Sequence, residues 1–298
     1  MTNDLSSTSE VKAGVRDYLS LIKFSHTIFA LPFAMIGFFL AVKLDGYGFD
    51  WMTFLLVILC MVFARSAAMA FNRYIDRDID RKNPRTAELR EIPRGVISPK
   101  GALTFVLINS ILFIAATWFL NELCFYLSPV ALIVVLGYSY TKRFTALCHL
   151  VLGLGLALAP TGAYLAVSGV FDTIPILISF AVLFWVSGFD IIYALQDDQF
   201  DREYGLNSIP SRLGRRNALR LSSLFHMITG FFLAWAGWSA GMAWLYWIGW
   251  AIFSFLMIYQ HSLVKVDNLR RVNLAFFTTN GIASVVFGVF TILDIFLS

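Results

Sequence analysis

The sequence predicts an all-α, polytopic membrane protein with nine transmembrane helices, and three observations predict it. Of the 298 residues, 58% are hydrophobic and 14% charged, with a mean hydropathy of +0.73; a soluble domain carries about 25% charged residues. Apolar stretches of about 20 residues, the length needed to cross a bilayer, recur along the whole chain. Lys and Arg gather in alternate connections between those stretches. Length alone would admit two soluble domains, but no long polar linker separates them. The chain therefore reads as one membrane domain over 1–298, with a polar N-terminal segment at 1–19.

In order, the spans fall near 20–42, 51–73, 101–120, 123–140, 147–168, 174–196, 218–239, 242–263 and 273–297. The segment before the first is Ser/Thr-rich from Thr2 to Ser9 and is expected to be disordered or to lie on the surface. The first span is long and no small-residue cleavage site follows it, so it reads as a retained helix and not a signal peptide. Span five carries Pro160 with Gly153, Gly155 and Gly162, which either kink or thin the helix or, the favoured reading, serve close helix packing. Cys60, Cys124 and Cys148 lie in or beside apolar segments without zinc spacing, and read as small buried hydrophobes. His26 and His149 fall at a membrane boundary, and His226 and His261 in or near spans seven and eight. None has a metal-ligand partner at helical spacing.

The basic residues test the span count. With nine spans, the connections after spans two, four, six and eight share one side. Helix ends included, they hold 18 of the 23 Lys and Arg residues, and the opposite connections hold only Lys43. A wrong count would scramble this asymmetry. Basic loops stay in the cytoplasm, so the expected location is the cell inner membrane, with the N-terminus inside and the C-terminus outside. Basic residues divided among membrane loops, with no binding module, argue against a nucleic-acid partner; the lipid bilayer is the partner they imply.

Two acidic runs carry the chemistry. Asn72-Arg73-Tyr74-Ile75-Asp76-Arg77-Asp78-Ile79-Asp80 closes span two, and Asp197-Asp198-Gln199-Phe200-Asp201 closes span six. Residues four apart share a helix face. Asn72, Asp76 and Asp80 thus line one face and Asp197 and Asp201 another, while Asp78 and Asp198 point away. A single pair is an ordinary solvated helix end. Two copies on the same side, each followed by arginines, point to a divalent metal and a phosphorylated ligand. Mg²⁺ takes oxygen ligands and shares its shell with phosphate, so the expectation is Mg²⁺ on these five residues with a diphosphate between them. Spans two and six are four helices apart, a weak internal repeat that would bring the acidic ends face to face.

Arg85, Arg90 and Arg94 in the first loop, with Lys142 and Arg143 in the short connection after span four, are candidates to grip that diphosphate. A guanidinium fork can bond two phosphate oxygens, although the same residues also suit an ordinary cytoplasmic anchor. Tyr138, Tyr140 and Tyr193 neighbour the charged runs and are the candidate cavity aromatics, whose faces can stabilise a cation. Arg65 and Asp190 lie deeper, each seven residues before its run. Charges at that depth face a cavity or each other. Either a buried Arg65–Asp190 pair locks the bundle, or Arg65 or Arg143 binds the carboxylate of an aromatic acid while an aspartate polarises its phenol.

Four stretches carry a family resemblance: Asn72-x-x-x-Asp76-x-x-x-Asp80, Tyr138-Ser-Tyr-Thr-Lys142-Arg143, Asp190-Ile-Ile-Tyr193-x-x-x-Asp197-x-x-x-Asp201, and Arg85-Thr86 through Arg90 to Pro93-x-Gly95. Over nearly its whole length the chain resembles the UbiA-type intramembrane aromatic prenyltransferases. The resemblance implies nine helices around a central cavity, magnesium on the two aspartate runs, and transfer of a polyprenyl group from polyprenyl diphosphate to an acceptor. Within the family, the run Asp78-Ile-Asp-Arg-Lys-Asn-Pro-Arg-Thr86 and the run from Asp190 to Asp201 resemble most the 4-hydroxybenzoate polyprenyltransferases of ubiquinone synthesis. Similar sequences also serve menaquinone routes, which leaves the aromatic acid acceptor open. Asn207 departs from the pattern: it stands where a lysine is expected, which weakens one diphosphate contact.

The chemistry so implied is electrophilic aromatic substitution. Metal and basic loops draw off the diphosphate, the allylic carbon becomes cationic in a dry pocket, and the electron-rich ring attacks it. Asp76 and Asp197 serve the metal, and Asp197 or Asp190 is the base. The alternative from another class is an ion-coupled transporter, but transporters place ionisable groups near the midplane on broken helices. Here most acids gather at one face beside arginines. A non-catalytic scaffold offers no reason for two aligned carboxylate runs.

Overall fold

The computed structural model describes residues 14–22 and 29–297. The Thr2–Ser9 stretch, His26 and part of the first expected span lie outside the described residues. Among the described residues the chain is helical, with no strand. α1 (Val15–Leu21) shows that the polar N-terminal segment is already helical from Val15. α2 (Leu31–Phe39) carries Pro32 in its first turn and runs into a π-helical turn, Leu40–Leu44.

Asp50 opens α3 (Trp51–Lys82): its Oδ2 accepts the Thr53 backbone N–H at 2.7 Å, satisfying one of the free donors at a helix start. This helix has 32 residues and reaches about 48 Å at 1.5 Å per residue, beyond the roughly 30 Å of bilayer hydrocarbon. The first acidic run therefore stands on the last turns of an unbroken helix. A single turn, α4 (Pro84–Ala87), follows.

Ser98 caps α5 (Pro99–Trp118), and Asn121 caps α6 (Glu122–Thr141). The Asn121 amide also donates to the Leu165 carbonyl at 2.8 Å, tying α6 to the end of α7 (Cys148–Ser168). Gly169 stops α7 with φ +70°, a left-handed turn that a side chain would strain. Asp172 caps α8 (Thr173–Ala194), which continues through a 3₁₀ turn into α9 (Asp198–Glu203). α10 (Ile209–Ser239) breaks at Gly214, φ +75°. α11 (Trp244–Leu263) is followed by a π turn, Leu274–Thr279, and α12 (Asn280–Leu297).

Seven of these helices are long and apolar enough to cross a membrane: α3, α5, α6, α7, α8 with α9, α10, and the continuous helix Leu274–Leu297. They match seven of the nine expected spans. Of the other two, Leu31–Leu44 is a shorter apolar helix. α11 has the length, but Trp and Tyr side chains with Gln260 and His261 dilute its hydropathy. Only 22% of the most apolar window of α6 is buried inside the protein. So large an exposed apolar surface belongs in hydrocarbon and not in water, and the protein is a multi-pass membrane protein.

α8 is the core helix, with 61% of its window buried. Its Trp185 is fully buried between Phe33 and Phe189, at ring distances of 5.2 and 5.1 Å, and donates its indole N–H to Asn280 Oδ1 at 2.9 Å. A Cβ on Gly153 would lie 2.4 Å from the Leu183 carbonyl oxygen, and one on Gly37 would lie 2.0 Å from that of Pro160. Gly153 and Pro160 thus serve close packing, as expected of span five. Gly155 and Gly162 instead line a cavity.

Candidate active site

α3 delivers the first run to a contact with the end of α6. Asp76 is buried and sits 2.7 Å from Lys142 Nζ and 3.0 Å from Arg143 Nη2. Asn72 donates to the same carboxylate at 3.2 Å. Arg143 is pinned by the Ser139 and Ile75 carbonyls, each at 2.9 Å. Asp80 is buried one turn further on, and its Oδ2 has no hydrogen-bond partner. Lys142 lies within electrostatic reach of both Asp80 and Asp201.

The second run is bound by the loop that follows the first. Asn83 accepts the Arg85 N–H on Oδ1 at 3.0 Å and donates its amide to Asp197 Oδ1 at 3.0 Å. The turn α4 then points Arg85 at Asp197, where Nε bonds Oδ1 at 2.8 Å and Nη2 bonds Oδ2. Arg85 Nη1 also donates to the Tyr193 hydroxyl at 3.1 Å. Burial works against the Arg85 charge, but the bonds to Asp197 and the neighbouring Tyr193 hold the guanidinium above its ordinary pKa. Tyr193 packs its ring on Phe276 at 4.3 Å. Asp201 is half-buried on α9, and Arg90 keeps a buried Nη1 without a partner.

Asp198 points away from this site, as expected, into ion pairs with Arg202 and Arg215, while Asp78 is exposed. The hollow there, about 970 Å³, contains none of the four motif aspartates. Asn207, in place of the expected lysine, is buried; it donates its N–H to the Lys142 carbonyl at 2.7 Å and accepts from Arg212 Nε at 2.8 Å.

The deeper charges do not form the Arg65–Asp190 pair. Asp190 is bonded to His149 Nδ1 at 2.7 Å. Arg65 instead lines an apolar cavity of about 370 Å³ between α3, α5, α6 and α7, with Tyr138 beside it and its Nε unpartnered. Cys60 and Cys124 are free thiols on the same wall. Tyr140 is largely exposed.

Three residues in this arrangement escape sequence reasoning. Asn83 joins the two runs, although Asn-Pro at a helix start is visible only as a local cap signal. Arg73 is buried with an unpartnered Nε and acts electrostatically on Asp80; the spacing of seven, which shares a helix face, is its signal. His149 holds Asp190, and nothing local marks that contact.

Among the described residues, no three His, Cys, Asp or Glu side chains gather closely enough to hold a metal by themselves. The donor set is nonetheless all oxygen, and Asp80 presents a buried free carboxylate oxygen. That fits magnesium, which is held by one or two carboxylates plus phosphate oxygens and not by a complete protein cage.

Fold and site together define a multi-pass membrane prenyltransferase. Residues 30–282 match the UbiA prenyltransferase family, and the chain belongs to that family. It is similar to a 4-hydroxybenzoate octaprenyltransferase of Burkholderia mallei, 32% identical over 227 residues that cover 75% of this chain and 77% of that one. Its fold matches the apo structure of a UbiA homolog from Aeropyrum pernix K1 with a TM-score of 0.81 and 32% identity, over 90% of this chain and 98% of that one. A UbiA homolog from Archaeoglobus fulgidus bound to DMAPP and Mg²⁺ shares the fold at a TM-score of 0.72 and 22% identity, over 95% of this chain and all of that one. Membership in an enzyme family displaces the transporter alternative.

Proposed function

We propose that this enzyme transfers a polyprenyl group from polyprenyl diphosphate to 4-hydroxybenzoate in quinone synthesis, using Mg²⁺. The observation that carries the reading is that Lys142, Arg143 and Arg85 each sit on a motif aspartate. An arriving diphosphate attracts these cations, and Asp76 and Asp197 become available as oxygen donors. Asn72, Asp76, Asp80, Asp197 and Asp201 hold the metal, and Arg90 joins the grip on the phosphates. Bound magnesium neutralises charge that develops on the leaving diphosphate.

The prenyl chain lies in the apolar cavity, which keeps water from the allylic cation. Tyr138 and Tyr193 offer it their ring faces. Arg65 binds the acceptor carboxylate, and Asp190 accepts the phenolic hydrogen. The names of the curated relatives and the DMAPP and Mg²⁺ of the Archaeoglobus fulgidus protein support this reading. In the same reading α2 and α11 also cross, giving nine spans in one domain of the inner membrane. The N-terminus is then cytoplasmic and the C-terminus outside, following the basic loops.

The test is incubation of membranes holding the protein with radiolabelled 4-hydroxybenzoate, Mg²⁺ and prenyl diphosphates of increasing length. A labelled prenylated product that disappears with EDTA and returns with Mg²⁺ is expected. A product formed only with another aromatic acid would overturn the acceptor assignment.

A further inference from the structure

His149 opens α7 and is buried against α8. Its Nδ1 lies 2.7 Å from Asp190 Oδ2, and its Nε2 accepts the backbone N–H of Ile209 at 3.2 Å. A ring nitrogen that accepts an N–H carries a lone pair and no hydrogen. The hydrogen that faces Asp190 therefore sits on Nδ1, and the imidazole donates it to the carboxylate. The clamp is anchored at both ends. Ser187 Oγ, one helical turn before Asp190, shares its hydrogen between the Leu183 carbonyl at 2.7 Å and the His149 carbonyl at 3.1 Å, and Ile209 is the first residue of α10 behind its Ser208 cap.

We propose that His149 is the positioning residue for Asp190, fixing one carboxylate oxygen so that the other meets the phenolic hydrogen of the acceptor. The inference rests on the role given to Asp190 above. Asp76 and Asp197 are engaged by cations that a diphosphate competes for. The partner of Asp190 is a buried imidazole whose far nitrogen is held by the Ile209 N–H, so a diphosphate does not draw it away. Asp190 thus keeps its orientation while the rest of the site exchanges partners.

Two variants isolate the bond. In His149→Asn the amide N–H falls near the place of Nδ1–H, and in His149→Leu nothing does; both deprive Ile209 of its acceptor. Purified full-length protein is assayed with geranyl diphosphate, 4-hydroxybenzoate and Mg²⁺. We expect the two variants to lose similar thermal stability, while kcat falls about 10- to 100-fold in His149→Leu, recovers most of the way in His149→Asn, and the KM for geranyl diphosphate stays within about twofold in both. Equal kcat in the two variants would overturn the inference. Should His149→Leu fail to fold, His149→Asn alone decides: near wild-type kcat supports the role, and a loss beyond about tenfold overturns it. Asp190→Asn separates the two readings. Full turnover there removes Asp190 from the chemistry and the inference with it, whereas slow turnover beside equal His149 variants overturns only the His149 role.

Discussion

Lys142 Nζ lies 2.7 Å from Asp76 Oδ2, and the same ammonium acts on Asp80 and Asp201. One cation from the end of α6 therefore stands between the two acidic runs. The Asn207 N–H fixes its carbonyl at 2.7 Å, so both halves of the protein set its position. A hydrogen bond to a charged group contributes about 1.5–3 kcal/mol, or roughly 10- to 100-fold in affinity. Lys142→Met should lower kcat/KM for the prenyl diphosphate by about that factor, chiefly through KM, and Lys142→Arg should restore part of it. Steady-state kinetics with varied diphosphate reads both.

Asp76→Ala and Asp197→Ala should each reduce turnover by at least about 100-fold, the scale of losing a group that stabilises developing charge. Their side effects differ. Asp76→Ala leaves Lys142 and Arg143 without their shared carboxylate, while Asp197→Ala releases Arg85 and Asn83 together. Asp197→Ala should therefore also loosen the first loop, seen as faster proteolysis between residues 84 and 97. Near-normal turnover in both variants would refute the assignment of these runs to the metal.

Much of this architecture is legible in the sequence because its causes are local. Runs of apolar residues mark the spans, and Asp50, Ser98, Asn121, Asp172 and Ser208 sit where helix caps belong. The i, i+4 spacing places Asn72 on the face of Asp76. What the sequence hides is how helices are rotated about their axes in the bundle. Depth alone pairs Arg65 with Asp190, yet Asp190 turns to His149 and Arg65 to the cavity. Arg85 and Asp197 are 112 residues apart, and no local pattern announces their bond.

Arg65 offers a test of the acceptor site. Its Nε is unpartnered inside an otherwise apolar wall, a costly placement for a charge unless a ligand answers it. Arg65→Ala should raise KM for 4-hydroxybenzoate by about tenfold or more, the size of one charge-assisted contact, and leave KM for the prenyl diphosphate little changed. An unaltered KM for the aromatic acid would remove Arg65 from carboxylate binding.

The spacing between α7 and α8 sets the last prediction. A Cβ on Gly153 would lie 2.4 Å from the Leu183 carbonyl oxygen and 2.5 Å from Ser187 Oγ. A backbone carbonyl cannot step aside, so Gly153→Ala must push the helices apart, at about 1–3 kcal/mol for overpacking. Gly162, on the same helix, faces the cavity, and a Cβ there would meet nothing within 4 Å. Gly162→Ala should therefore be neutral or stabilise by up to about 1 kcal/mol through helix propensity. Ser187 also holds the His149 carbonyl, so strain at Gly153 reaches the Asp190 contact, and the variant should lose turnover along with stability. Thermal unfolding in detergent, read beside turnover, ranks the pair. Equal melting of Gly153→Ala and the unaltered protein would mean that α7 and α8 do not approach this closely.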